Sequence, residues 1–160
     1  MFAKLQKRRG PFLLIAILYG VELLDELIYG LHDAALPYLK TEFNLTYFQL
    51  GLLFTLPGVF AWLIEPLIGF SADTRHRRLL VLGGIVATAI GLAMIGLSQS
   101  YLVILIAFCI LYPASGAYVN LAQATLIDSG LGRAEHTMAR WVLIGAVGVA
   151  ISPVMLTVVY

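Results

Sequence analysis

Charged side chains are scarce in this 160-residue chain: Asp, Glu, Lys and Arg together make up 12%, against about 25% in a soluble domain. Apolar residues make up 61%. A soluble fold of this length has no interior large enough for them, so lipid must solvate much of the surface. Cysteine is nearly absent. The one thiol, Cys109, sits inside an apolar run, which excludes a disulfide framework or a cysteine zinc cluster and reads as a small buried hydrophobe. His32, His76 and His136 fall on or near different polar breaks. No metal-ligand set and no activated nucleophile emerge, so neither an enzyme nor a bound cofactor is expected. Basic residues flank apolar runs without interleaved aromatics, which argues against nucleic acid. No small-residue cleavage site follows the first apolar run, and that run is too long for a signal-peptide core.

What is present is a series of long apolar runs separated by short polar breaks. Five runs approach the ~20 residues that a helix needs to cross hydrocarbon: about 12–36, 47–70, 79–97, 101–127 and 138–160. Their length and continuity exclude the strands of a membrane barrel, and helices satisfy every backbone polar group internally. Pro11 suits a first helical turn, Pro37 marks the exit of the first span, and Thr46 with Gln49 has the spacing of a capping box. The expected fold is therefore all-α, a polytopic transmembrane helix bundle over residues 1–160.

The breaks differ in charge. Lys4, Lys7, Arg8 and Arg9 precede the first run; Lys40 stands alone in the first break. Arg75, Arg77 and Arg78 fill the second, none occurs in the third, and Arg133 and Arg140 lie in the fourth. Basic residues concentrate on the cytoplasmic side of membrane helices. The alternation predicts a multi-pass protein of the cell membrane with its N-terminus in the cytoplasm.

Acidic residues are concentrated in the first run. Glu22, Glu26, Tyr29 and Asp33 are spaced four, three and four, so they share a helical face, and Asp25 flanks it. A carboxylate in mid-membrane costs about 2.5–3.5 kcal/mol on insertion scales. Three within five residues cannot face lipid; they line a wet cavity, pair with cations or carry protons. Burial and neighbouring like charge both favour the protonated form of a carboxyl, which makes Glu22, Asp25 and Glu26 candidate proton carriers. The plainer alternative is that they hydrogen-bond neighbouring helices. In the fourth run Tyr112, Gly116, Asn120 and Gln123 share a face, either lining a cavity or bonding another helix, with Gly116 giving clearance. Glu65 near the inner end of the second run suits pairing with Arg75, Arg77 or Arg78. Gly83, Gly84, Ala87 and Gly91 in the third run, and Gly145 and Gly148 in the fifth, form small-residue stripes that admit close helix packing.

The second break, Gly69-Phe70-Ser71-Ala72-Asp73-Thr74-Arg75-His76-Arg77-Arg78, resembles the loop between the second and third spans of the major facilitator superfamily, Gly-x-Leu-Ala-Asp-Arg-x-Gly-Arg-Arg/Lys. Gly69, Ala72, Asp73, Arg77 and Arg78 match; Ser71, Thr74 and His76 depart. The resemblance implies a cytoplasmic gating loop in which Gly69, Asp73, Arg77 and Arg78 help hold the inner side shut. Ser152-Pro153 with Gly148 resembles that family's antiporter signature, Gly-x-x-x-Gly-Pro, with Ser152 in place of a glycine. Glu22-x-x-Asp25 resembles the His-x-x-x-Asp region of fosmidomycin-resistance-type exporters, without the histidine and at a different spacing.

The resemblance implies five spans of a major-facilitator-type N-terminal half, built from inverted three-helix repeats, with a missing C-terminal half or a partner chain completing the carrier. The implied function is secondary active transport of a small solute, proton-coupled and by antiport export ahead of import. Tyr29, Asp33, Tyr112, Asn120 and Gln123 are the implied cavity residues. The competing expectation is a non-transporting membrane subunit, or an inactive fragment that needs a partner to enclose a pathway.

Overall fold

A computed structural model describes the backbone of residues 2–72, 77–130 and 133–159, and the side chains of 12–71, 77–130 and 133–158. The described residues form five α-helices and no strand: α1 Phe2–Glu42, α2 Tyr47–Ala72, α3 Arg77–Leu97, α4 Tyr101–Asp128 and α5 Ala134–Val159. At 1.5 Å per residue, even the 21 residues of α3 reach about 31 Å, the thickness of the hydrocarbon core.

Helix ends follow local chemistry. Pro37 does not end α1, as the sequence had predicted; the helix runs on to Glu42, and the Thr41 hydroxyl donates back to the Pro37 carbonyl at 2.8 Å. The stop comes at Asn44, whose φ of 50° is left-handed. Leu45 N donates to Lys40 O at 2.9 Å and Asn44 N to Thr41 O at 3.4 Å, the two bonds that close a helix through a left-handed residue. The α2 capping box forms: Thr46 N donates to Gln49 Oε1 at 2.8 Å, and Gln49 N donates to Thr46 Oγ1 at 3.2 Å. Gly130 at φ 60° follows α4, its N–H bonded to Ile127 O at 3.2 Å.

Among the described residues four helices are long and apolar enough to cross a membrane: 47–71, 77–97, 101–128 and 134–158. Their outward residues are large and apolar, with Trp62, Phe70, Leu79, Val142 and Leu143 all exposed, as lipid contact requires. α1 stands apart because Glu22, Asp25 and Glu26 interrupt its apolar stretch. Those acids are turned inward, and the exposed positions around them, Ile17 and Leu24, are apolar.

The chain divides into two compact units: residues 1–34 with 122–160, and residues 35–121. In the second unit Leu45, Leu53, Ile104, Phe108 and Leu111 form a buried cluster flanked by Leu39, Leu50 and Ile95, and the Tyr101 hydroxyl donates to Gln49 O at 3.1 Å. There α3 meets α4 closely: a Cβ on Gly84 would lie 2.7 Å from Ala114 O, and one on Gly91 would lie 2.7 Å from Leu111 Cγ. With Thr88 buried between them, the contact line is Gly84–Thr88–Gly91, while Gly83 faces open space. The first unit joins the first part of α1, the last turns of α4 and α5.

Candidate functional site

The acids of α1 lie within the first unit, and α5 receives two of them, Glu22 and Glu26. Glu22 and Asp25 are 5% and 6% exposed; Glu26 is half-buried. A Cβ on Gly145 would meet Glu22 Oε1 at 2.7 Å and Glu26 Cγ at 3.1 Å; one on Gly148 would meet Glu26 Cβ and Leu23 O, both at 3.0 Å. The two glycines therefore form a seat one helical turn long, occupied by side chains one turn apart on α1. One turn further along, Gly30 lies against Ser152: a Cβ there would sit 2.7 Å from Ser152 Cβ and 3.1 Å from Val149 Cα. The Ser152 hydroxyl, fully buried, is shared between Leu27 O at 3.0 Å and Gly148 O at 2.8 Å. Close approach by glycine, held by a serine bond between helices, is how membrane helices associate where no hydrophobic effect separates them from lipid.

At the other end of this α1–α5 contact, Tyr19 Oη donates to Thr137 O at 3.4 Å, and its ring centroid lies 6.4 Å from that of Trp141, tilted by 47°. The acids thus occupy the middle of a helix pair fastened by Tyr19 on one side and Ser152 on the other. The carboxyl of Glu22 here has glycine backbone for a neighbour.

The remaining candidates are distributed over both units. In the first, Tyr29 is half-buried. Asp33 is exposed, with Oδ1 3.8 Å from His32 Nδ1. Gln123 Nε2 donates to Met138 Sδ at 3.6 Å, so Gln123 joins α4 to α5. In the second unit, Tyr112 is half-buried and Asn120 exposed. Of the expected gating loop, Gly69 is exposed with open space around its Cα, Arg78 is exposed, and Asp73 lies outside the described residues. Arg77 Nη2 donates to Leu121 O at 3.0 Å, tying the start of α3 to α4. Among the described residues no group of His, Cys, Asp or Glu is placed to hold a metal ion.

Two features escaped sequence reasoning. The glycines of α5 read as a packing stripe, and their role as a seat for carboxyls was hidden because one sequence does not say which helices meet. The signal was there in the matching intervals, three on α5 and four on α1. Glu65 was expected to pair with Arg75, Arg77 or Arg78, of which Arg75 lies outside the described residues; its carboxyl rests on α4, where a Cβ on Gly116 would meet Glu65 Oε1 at 2.7 Å and Cδ at 3.1 Å. The clearance read at Gly116 is clearance for that acid.

Comparison with known proteins bears on the same residues. The family model described as Major Facilitator Superfamily matches residues 10–160. The fosmidomycin resistance protein of Escherichia coli (strain K12) is 23% identical over 159 residues, which cover 98% of this chain and 39% of that protein. The chain thus spans about two fifths of the length of this relative.

Proposed function

From the premise that the chain belongs to the major facilitator superfamily, we propose that it serves a secondary active transporter that moves a small solute across the cell membrane in exchange for protons. The observation that carries the reading is the burial of Glu22 and Asp25, with Glu26 beside them, in a helix of otherwise apolar character. A charge held inside a membrane protein marks an ion pathway or a proton relay. Each carboxyl alternates between a neutral form and a charged form, and the Gly145–Gly148 seat accommodates both without repacking. Proton loss to one side and uptake from the other would link the gradient to solute movement.

Export by antiport is the direction we favour. The relative's name as a resistance protein and the Ser152-Pro153 pair after Gly148 support it. Tyr29, Asp33, Tyr112, Asn120 and Gln123 are proposed to contact the solute. Gly69, Asp73, Arg77 and Arg78 are proposed to form the inner gate, on the cytoplasmic side with the N-terminus. Further helices, beyond the five here, complete the wall of the passage.

The test is proton movement into proteoliposomes carrying an internal pH indicator, with an imposed pH gradient and a panel of candidate solutes. Solute-dependent proton flux is expected from the native protein. Glu22→Gln, Asp25→Asn and Glu26→Gln together are expected to abolish the flux while leaving solute binding in place. Unchanged coupling in that triple variant would remove the three acids from the mechanism.

A further inference from the structure

The first unit contains a second polar feature, whose lining includes none of the three carboxyls. Where α4 gives way to α5, a cavity of about 400 Å³ opens, lined among others by Arg133, His136 and Arg140. These residues are spaced three and four apart, so they share one face of α5 and the residue before it. Their side chains make no hydrogen bond or ion pair with any described residue, and none of the lining residues is acidic. The neutral polar groups of the wall are already engaged: Tyr19 Oη donates to Thr137 O, Ser129 Oγ to Leu126 O at 2.6 Å, and Thr137 Oγ1 to Arg133 O at 3.1 Å. The unspent donors are the two guanidinium forks and the imidazole. The start of α5 adds the positive end of a 26-residue helix.

We propose that this cavity is a binding site for a phosphate group. Two planar forks and a ring nitrogen arranged along one helix face suit a tetrahedral anion with several acceptor oxygens, whereas a carboxylate would occupy one fork and leave the rest unmatched. Helix N-termini favour the same ligand. The wall also includes Ile15 and Leu126, which gives an apolar border to a phosphodiester attached to a hydrocarbon body. The phosphate is supplied either by an anionic lipid headgroup or by a soluble phosphate. The site uses none of the proposed proton carriers, so its fate is independent of the transport reading.

The test is native mass spectrometry of the 160-residue chain released from nanodiscs of phosphatidylcholine, with or without phosphatidylglycerol, and with or without inorganic phosphate. The native chain is expected to retain phosphatidylglycerol or a phosphate adduct in preference to phosphatidylcholine. Arg133→Gln with Arg140→Gln is expected to lower that retention tenfold or more. Lys40→Gln, the loss of one basic charge outside the cavity lining, is expected to leave it unchanged. Retained phosphatidylglycerol that inorganic phosphate fails to displace assigns the lipid; a phosphate adduct in pure phosphatidylcholine assigns the soluble ion. Should the double variant fail to fold, a phosphatidylglycerol carrying a photoreactive headgroup answers with the native chain, since it is expected to label residues 133–140. Equal retention by the native and double-variant chains, or labelling elsewhere only, overturns the proposal.

Discussion

Gly30→Ala tests the helix pairing on which the acid seat depends. The added methyl would lie 2.7 Å from Ser152 Cβ, 2.5 Å from its Oγ and 3.1 Å from Val149 Cα. Carbon atoms in ordinary contact stand about 3.5–4.0 Å apart, so α1 and α5 must separate by about 1 Å. Rotating Ser152 does not help, because its Cβ is itself in the way and its hydroxyl is bonded to Leu27 O and Gly148 O. Overpacking of this kind costs about 1–3 kcal/mol. Stretching the Ser152–Leu27 bond adds up to about 1 kcal/mol, while replacing a helical glycine with alanine returns about 0.8–1 kcal/mol. The expected net loss is about 1–2 kcal/mol, or a five- to thirtyfold fall in the folded-to-unfolded ratio. A double-mutant cycle gives the sharper reading. Ser152→Gly removes two of the three close atoms, leaving Val149 Cα at 3.1 Å, and should rescue most of the loss in Gly30→Ala, whereas Ser152→Ala keeps the Cβ and should not. Reversible unfolding in mixed micelles, followed by circular dichroism, measures all the variants. Gly30→Ala as stable as the native chain, or rescue by Ser152→Ala equal to that by Ser152→Gly, would refute the pairing.

The α3 glycines make an opposed pair: Gly84→Ala drives a methyl onto the Ala114 carbonyl and should cost about 1–3 kcal/mol, whereas Gly83→Ala meets nothing and should stabilise by about 0.5–1 kcal/mol in the same unfolding assay. On α5, Gly145→Ala meets only the movable ends of Glu22 and Glu26, so it should change stability by less than about 1 kcal/mol while slowing proton flux in proteoliposomes. Gly148→Ala meets the Leu23 carbonyl and should show the reverse balance, with the larger effect on unfolding. Arg77→Gln removes a charged donor from Leu121 O and, at a half-exposed position, should lower stability by about 1–2 kcal/mol, readable as a lower melting temperature.

The helices themselves were legible because uninterrupted apolar runs leave the backbone only one way to satisfy itself in lipid. Their ends were less so. Pro37 looked like a stop, but a proline removes one N–H and leaves the helix free to continue; the actual stop needed Asn44 in the left-handed region, which Asn tolerates without announcing it. The inward face of α1 was legible from the cost of its carboxyls alone. Which helix that face meets was not, because spacing within one helix carries no record of its neighbour. Nor did spacing show that Arg77 reaches Leu121 O or that Glu65 rests on Gly116. Periodicity marked a glycine stripe on α3, yet only packing distinguishes Gly84, against the Ala114 carbonyl, from Gly83, against nothing.

Glu22 lies on Gly145 in one unit and Glu65 on Gly116 in the other, but Glu22 is buried and Glu65 exposed, so it is Glu22 that a helix interface must house. A carboxyl needs about the room of two methylenes beyond its Cβ, and a membrane interface has no water to yield that room. Placing the acid opposite a bulky side chain would force the helices apart, with a loss of dispersion energy. Placing it opposite a glycine confines the accommodation to one position. The glycine also brings backbone dipoles close to the acid, which a larger residue would screen. For this reason the Glu22–Gly145 pair, and not the acid alone, is the unit to vary in testing the proposed proton pathway: Gly145→Ala alters where Glu22 can sit while leaving its chemistry intact. A flux defect in that variant with unchanged helix stability would separate the position of the carboxyl from its presence.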